Sequence, residues 1–278
     1  MDKIYMRFPG GLKKTLTLSY DDGVEQDERL LSILKKNGLK VTFNLNSGLF
    51  VEEGHVFPEG FLGRRVTLNK ALNLYNDSNV EVAVHTITHP NLIDLKEDEI
   101  RKEVFVDRTN LETMFNKFVR GMAYPFGDTN EEVERILTES GIVYSRTCVS
   151  TEKFDIPTNW LELPATCHHT NPRLMELAKE MIEANQEGEP MMFYLWGHAY
   201  EFERDNNWEV IENFASYIGH KEDIWYATNI EIYDYVKAFN SLLFSADHKT
   251  IYNPTCTTIY FRYKDMNYIL ECGEEITL

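Results

Sequence analysis

Two short segments hold most of the residues whose types and spacing suit chemistry. Asp21 and Asp22 stand side by side before Gly23, and His85 and His89 are spaced by four. Two imidazoles and one carboxylate form the ligand set of a catalytic zinc centre, which keeps a position open for a water that the ion acidifies. The helical pattern His-Glu-x-x-His is absent, because Thr86 follows His85, so a general base has to come from elsewhere. Adjacent carboxylates beside an apolar strand are costly unless a cation or a donor satisfies them. Side chains of neighbouring extended residues point apart, so one carboxylate can bind the ion while the other faces the attacking water. Alone, the aspartates read as a turn and the histidines as a loop; their conjunction singles them out.

The elements that must position them follow from periodicity. Thr15 to Tyr20 alternates as a strand and delivers the aspartates to its C-terminal end, and Val80 to Val84 does the same for the histidines. Further strands are expected at Val41 to Leu45, Phe118 to Ala123, Val143 to Arg146, Met191 to Leu195 and Ile224 to Ala227. Helical patterns lie at about Glu25 to Asn37, Thr67 to Tyr75, Trp208 to Ile218 and Ile230 to Phe244. Asp94 with Glu97 predicts a capping box for a helix to about Phe115, Thr129 with Glu132 one for a helix ending near Gly141, and Asn171-Pro172 the start of a helix to about Asn185. Asn46 to Val66 has no period and reads as a long loop. Seven strand and helix alternations imply parallel strands with helical crossovers, whose sites form at strand C-terminal ends. After Asp247 the texture changes to short strands at Thr257 to Tyr263, Asn267 to Glu271 and Glu275 to Leu278.

Composition narrows the partners. The 278 residues carry 45 acidic against 28 basic side chains, a formal charge of −17, which repels phosphate backbones and anionic lipid and argues against nucleic acid or a membrane surface. The cysteines at 148, 167, 256 and 272 form no Cys-x-x-Cys pair and are expected to be reduced thiols, mostly buried. The polar N-terminal segment, Met1 to Arg7, has no apolar run of signal-peptide length, so the chain as written is expected in the cytoplasm.

The first segment, Ser19-Tyr20-Asp21-Asp22-Gly23, resembles the Thr-Phe-Asp-Asp-Gly motif of the polysaccharide deacetylase family, also called the NodB-homology family or carbohydrate esterase family four. The second, His85-Thr86-Ile87-Thr88-His89, resembles that family's His-(Ser/Thr)-x-x-His. The likeness spans roughly residues 10 to 245. It implies a distorted (β/α)7 barrel, with a deacetylase-like domain at 1–247 and a small β appendage at 248–278. It further implies Asp21 as general base and Asp22, His85 and His89 as ligands of one divalent ion, zinc or a similar cation such as cobalt or nickel.

Ala123-Tyr124-Pro125-Phe126-Gly127 resembles the third motif, Arg-Pro-Pro-Tyr-Gly, with alanine in place of the arginine that orients the catalytic aspartate. Arg120 is the nearby candidate to replace it. Phe126 would offer its backbone amide to the oxyanion, with Tyr124 beside it. Trp196-Gly197-His198 resembles Leu-x-His, which makes His198 the general acid and puts Trp196 where a leucine lines the acyl pocket. Asp155 and Trp160 match the histidine-orienting motif loosely, with Glu201 and Glu203 as competing orienters and His168-His169 as a second polar cluster.

These readings point to a metal-dependent hydrolase that removes N-acetyl or O-acetyl groups from a carbohydrate. Two alternatives remain: a ureide or cyclic-amide hydrolase using the same site, and a carbohydrate-binding relative without turnover, suggested by Ala123 and the β appendage. The partner is an acetylated carbohydrate or a small amide, and a homo-oligomer is open.

Overall fold

The structure, a computed structural model, describes residues 3–278, so Met1 and Asp2 of the polar N-terminal segment lie outside it. The strands are β1 (Ile4–Arg7), β2 (Lys14–Asp21), β3 (Val41–Leu45), β4 (Val80–Val84), β5 (Gly121–Ala123), β6 (Tyr144–Ser150), β7 (Leu163–Ala165), β8 (Cys167–His168), β9 (Met191–Gly197) and β10 (Ile224–Tyr226). From β2 to β10 they form one parallel sheet in the order β7-β6-β5-β4-β3-β2-β9-β8, with β10 on the first half of β2. The two ends of that path are consecutive in the chain, separated only by Thr166. Its amide donates to Tyr194 O at 2.9 Å, and its carbonyl accepts from Glu152 N at 2.9 Å. The sheet therefore curls until its ends meet in one extended segment, although no single strand closes the ladder.

Alternation decides what this curved sheet encloses. Leu16, Leu18 and Tyr20 of β2, Val41, Phe43 and Leu45 of β3, and Val80, Val82 and Val84 of β4 pack in the core that also holds the buried helix faces. Their alternates Thr17, Ser19 and Asp21, Thr42 and Asn44, and Glu81 therefore point to the other side, inward. There they find polar partners: Thr17 Oγ1 donates to Asn229 Oδ1 at 2.7 Å, and Thr42 Oγ1 to Glu81 at 2.9 Å. The sheet's interior is polar on this side and requires mutual satisfaction of its side chains.

The helices α1 (Asp27–Lys36), α2 (Leu68–Tyr75), α3 (Glu97–Arg101), α4 (Asp107–Phe115), α5 (Glu131–Glu139), α6 (Leu174–Glu183), α7 (Ala199–Arg204), α8 (Glu209–Ile218) and α9 (Asn229–Asn240) follow the sequence pattern with local differences. Helix α1 buries Leu30, Leu31 and Leu34 and ends in Lys35 and Lys36, where positive charge suits the helix dipole. The two predicted capping boxes are shifted. At α3 only half a box forms, Glu99 accepting from Lys96 N at 3.0 Å, because Leu92–Asp94 forms a separate 3-10 turn, and Asn130, not Thr129, caps α5 by accepting from Val133 N at 3.0 Å. The expected helix from 94 to 115 is α3 and α4 joined by a π-helical segment, Lys102–Val106. Helix α9 stops at Asn240, short of Phe244, which lies in a strand.

Three elements were invisible to periodicity. Strands β7 and β8 follow β6 with no helix between, so no crossover signal marks them, and α7 is only six residues long. The cysteine expectation is also corrected: only Cys167 is buried, while Cys148, Cys256 and Cys272 are exposed free thiols on or beside surface strands.

The C-terminal strands are β11 (Leu243–Phe244), β12 (Thr250–Tyr252), β13 (Ile259–Tyr263), β14 (Met266–Leu270) and β15 (Glu275–Thr277). They form two antiparallel three-stranded sheets, β11-β12-β15 and β1-β13-β14, the second of which recruits the N-terminal strand. Ile251, Ile259 and Phe261 share a core with Met6, Phe8, Tyr235 and Val236. Tyr235 Oη donates to Arg7 O at 2.6 Å and accepts from Tyr260 N at 2.9 Å, bridging β1 and β13 from α9. Tyr235→Phe leaves both buried backbone groups short of a partner and is expected to lower stability by about 1–3 kcal/mol. Urea denaturation against Tyr217→Phe, a more exposed site on α8, is the check; equal midpoints would remove the bridge from the account.

Candidate active site

The interior alternates end at one rim. Asp21 closes β2, Asn44 and Asn46 lie at the end of β3, His85 follows β4, Ala123 ends β5, and His198 follows β9. All lie at strand C-terminal ends, as parallel α/β folds dictate. His85, Ala123 and His198 continue the inward parity of their strands.

Asp21 is 2% exposed. Asn44 Nδ2 donates to its Oδ1 at 2.7 Å, Arg146 Nη2 donates to Oδ2, and His198 Nε2 lies 3.8 Å from Oδ2. Burial alone would raise its pKa, but the charges of Arg146, His85 and His198 and the Asn44 hydrogen bond outweigh it and hold the carboxyl at about 2. Asp21 is thus an ionised acceptor throughout the neutral range.

The arginine on Asp21 is not the expected one. Arg120 donates to Asp234 at 2.6 Å on the outer surface and does not reach the site. Arg146 takes the place, 1% exposed on β6, with its guanidinium 4.1 Å from the Trp196 ring. A buried arginine implies a buried anion, because an unpaired guanidinium is prohibitively desolvated. The signal available in the sequence was an arginine at inward parity within the strand Tyr144-Ser145-Arg146.

Asp22, His85 and His89 converge. Asp22 Oδ1 lies 4.0 Å from His85 Nε2 and 3.7 Å from His89 Nε2, and one donor atom of each lies within 4.8 Å of the others. Ligands about 2.1 Å from a tetrahedral ion are about 3.4 Å apart, so a small contraction seats a cation. His85 Nδ1 lies 2.8 Å from Ala123 O, which fixes the proton there, and buried Nε2 has no partner: a lone pair aimed into the cluster. Burial, the largest influence, lowers the His85 pKa to about 4 despite Asp21 and Asp22, so the ring is neutral, as a ligand must be. Arg65 also donates to Asp22 Oδ1 at 2.9 Å and, with burial opposing, helps hold that carboxyl below its ordinary range.

The backbone here is strained. Asp22, Thr86, His89 and Phe126 have φ of 86°, 69°, 60° and 64°, conformations that non-glycine residues adopt at a cost and that gather at functional sites. Side chains hold them. Asp107 accepts from Ser47 N at 2.7 Å and His85 N at 3.2 Å, Asn46 donates to Thr86 O at 3.0 Å, and Glu103 of the π-helical segment accepts from Thr88 N and Oγ1 at 2.9 Å.

His198 is oriented by Glu201, whose Oε2 lies 3.4 Å from Nδ1 and 3.3 Å from the His198 amide. Burial would lower the His198 pKa, but Glu201, Asp21 and Asp22 raise it above the ordinary value, which favours the protonated ring. The other candidate orienters are elsewhere. Asp155 is exposed on the β6–β7 connection, Trp160 packs edge-on against Tyr233 at 5.2 Å, and Glu203 is held by Arg64 and Gln26. Gly197 precedes His198 because a Cβ there would lie 2.0 Å from the His169 ring.

The remaining candidates divide. Phe126 is 62% exposed with its ring 5.0 Å from His89, at the mouth. Tyr124 has outward parity, and its hydroxyl donates to Leu161 O at 2.8 Å, so it braces the fold away from the cluster. Trp196 is 7% exposed, wedged between Arg146 and His168.

The "Polysaccharide deacetylase" family model matches residues 10–145, a span that contains Asp21, Asp22, His85 and His89. That segment belongs to the polysaccharide deacetylase family. A peptidoglycan-N-acetylglucosamine deacetylase of Bacillus cereus is 26% identical over 154 residues, 54% of this chain and 50% of that protein, so the match spans half the length of that relative. A solved structure described as a "putative polysaccharide deacetylase" from Mycobacterium smegmatis superposes with a TM-score of 0.62 at 17% identity, covering 86% of this chain and 96% of that one. It shares the fold.

Arg146→Met strips a buried carboxylate of its cation and is expected to cost about 3–5 kcal/mol of stability. Arg120→Ala should leave both stability and any hydrolytic activity nearly unchanged. Paired denaturation curves check this, and a large Arg120 effect with a small Arg146 effect would reverse the assignment.

Proposed function

We propose that this chain is a metal-dependent carbohydrate N-deacetylase. The observation that carries the reading is the position of Asp21, whose one carboxylate adjoins the Asp22, His85 and His89 cluster, the Arg146 guanidinium and the His198 imidazole.

Asp22, His85 and His89 would hold one divalent cation, zinc or a similar ion such as cobalt or nickel. When bound, that cation acidifies a water and polarises an acyl oxygen. Asp21, ionised and fixed by Asn44 and Arg146, is placed to accept the proton of the attacking water. His198, protonated and held by Glu201, gives its Nε2 proton to the departing amine. The exposed Phe126 ring beside His89 offers an apolar face to a sugar at the mouth. The acidic surface favours a neutral or cationic substrate over a polyanion. Carbohydrate N-acetyl groups are favoured over ureides by the family of residues 10–145 and by the name of the Bacillus cereus relative. A binding module without turnover is not favoured over this reading, since a buried arginine, Arg146, meets Asp21 although Ala123 stands in the third motif.

Acetate release from N-acetylated glucosamine oligomers tests the reading. Asp21→Asn and His198→Ala are each expected to reduce the rate by about 10²–10⁴, with circular dichroism separating lost chemistry from lost fold in Asp21→Asn, which leaves Arg146 without its anion. Chelation should abolish the rate until zinc or cobalt is returned. Undiminished release by either variant would end these assignments; hydrolysis of ureides alone would move the substrate.

The pH profile gives a separate check. Activity should fall as pH rises through the His198 pKa, which stands above its ordinary value. Glu201 stabilises the charged ring, so Glu201→Gln should lower that pKa and shift the descending limb to lower pH. A limb that stays in place would remove Glu201 as the orienting group.

A further inference from the structure

Behind His198 lies a second cluster, in which the deacetylation steps use the Nε2 face of His198 but leave its Nδ1 side and the neighbouring imidazoles unused. Oε2 of Glu201 is surrounded by three imidazoles: His168 Nε2 at 3.1 Å, His169 Nε2 at 3.3 Å and His198 Nδ1 at 3.4 Å. One donor atom each from His168, His198 and Glu201 lies within 4.8 Å of the others, the same criterion that the Asp22 cluster meets. His168, His198 and Glu201 side chains are 19%, 22% and 12% exposed, so an ion can enter from the mouth.

Independent support comes from His169. It is 1% exposed, and neither of its ring nitrogens has a hydrogen-bond partner, although Nε2 lies 3.3 Å from the same carboxylate oxygen. An unpartnered buried imidazole is costly unless something else occupies the cluster. The geometry is held: His168 Nδ1 bonds Thr170 Oγ1 at 2.8 Å, which leaves Nε2 facing Glu201, and the ring packs against Trp196 at 4.5 Å. The neighbouring cation, Arg204, approaches the other oxygen, Oε1, at 3.4 Å and leaves Oε2 to the imidazoles.

We propose that His168, His198 and Glu201 form a second divalent-cation site, and that zinc bound there inhibits the hydrolase. The inhibitory half rests on the role of His198 proposed above; the binding half does not. Two imidazoles and one carboxylate are a ligand set that zinc accepts. Binding at His198 Nδ1 takes the lone pair that an imidazolium needs for its second proton, so the proton on that nitrogen is released to solvent. What remains is a neutral imidazole with its single proton on Nε2. Donating that proton would generate an imidazolate, so the ring no longer serves as a general acid, and the amine leaves unprotonated or not at all. The cluster then couples activity to free zinc, since the ion that fills the first centre at low concentration disables the acid at higher concentration.

Calorimetric titration of the metal-free protein with zinc chloride in a non-coordinating buffer is the test. The wild type is expected to bind two ions per chain in separable phases. His168→Gln should lose the weaker phase and keep the tighter, whereas Asp22→Ala should lose the tighter and keep the weaker. Acetate release by the wild type should fall again as zinc is raised beyond the first equivalent. In His168→Gln that inhibitory phase should move to about a hundredfold higher zinc, since removing even a supporting contact costs a metal site about 10–100-fold. A single ion per chain in the wild type, or two ions retained in His168→Gln, overturns the second site and leaves the first standing. Failure of Asp22→Ala to remove any ion strikes the first centre alone. Circular dichroism on each variant separates ligand loss from misfolding.

Discussion

Two adjacent carboxylates at the end of a buried strand are the constraint around which this molecule is organised. Asp21 and Asp22 together place two negative charges where desolvation strongly opposes charge, and each must be met by its own partners. Because they are neighbours, they look in different directions. Asp21 keeps the inward parity of β2 and meets Arg146, Asn44 and His198; Asp22, turned aside by its positive φ, meets Arg65, His85 and His89. The same turn that strains the backbone separates a group that can bind a cation from one that can accept a proton. Gly23 follows with φ of 64°, continuing a conformation that a side chain would resist.

Strain of this kind persists only where the surroundings fix it. The His85–His89 segment contains two positive φ values, and it is tied down from three elements: Asn46 after β3, Glu103 in the π-helical segment and Asp107 at the start of α4. A regular helix through 102–106 would present that face with a different rotation, and π-helical turns recur where a helix serves a site. Asp107 is nearly fully buried, its pKa pushed up to about 7 chiefly by burial, and its two backbone hydrogen bonds offset part of that penalty. Stability is thus spent around the ligand loop to keep it in one conformation, the pattern expected where preorganisation matters more than fold stability.

How much of this the sequence disclosed depends on the length scale of the signal. Strands β2, β3, β4 and β9 and helices α1, α2 and α8 follow directly from apolar period, and the convergence of Asp22 with His85 and His89 follows from their positions at strand ends. Strands β7 and β8 could not be found that way, since together they span six residues with Thr166 between and follow β6 without a helix. Glu201 was legible as one of two neighbours of His198, and only the start of α7 decides between it and Glu203. Arg146 was hidden by a different cause: an arginine is ordinarily read as surface, and its burial makes sense only once the strand's parity places it opposite Asp21. Assigning parity to all inward strands together, rather than reading each motif alone, exposes Arg146 along with Asn44.

The two departures from the family's motif pattern, Ala123 and Trp196, turn out to meet at a single group. Ala123 on β5 is the register partner of Arg146 on β6, and paired residues of adjacent parallel strands share a face about 4.8 Å apart. The Arg146 guanidinium thus starts one strand aside from Ala123, where the motif resemblance led one to expect an arginine, at the same level, and its long side chain reaches Asp21. A small residue at 123 leaves the space open, while its carbonyl remains free to accept from His85 Nδ1. From β6 the guanidinium needs a surface to cross, and Trp196 provides it, with the cation 4.1 Å from the ring. A leucine at 196 would leave Arg146 without that face and a tryptophan without Arg146 would fill the interior to no end. Each substitution makes sense through the other, and together they conserve the one contact that Asp21 requires.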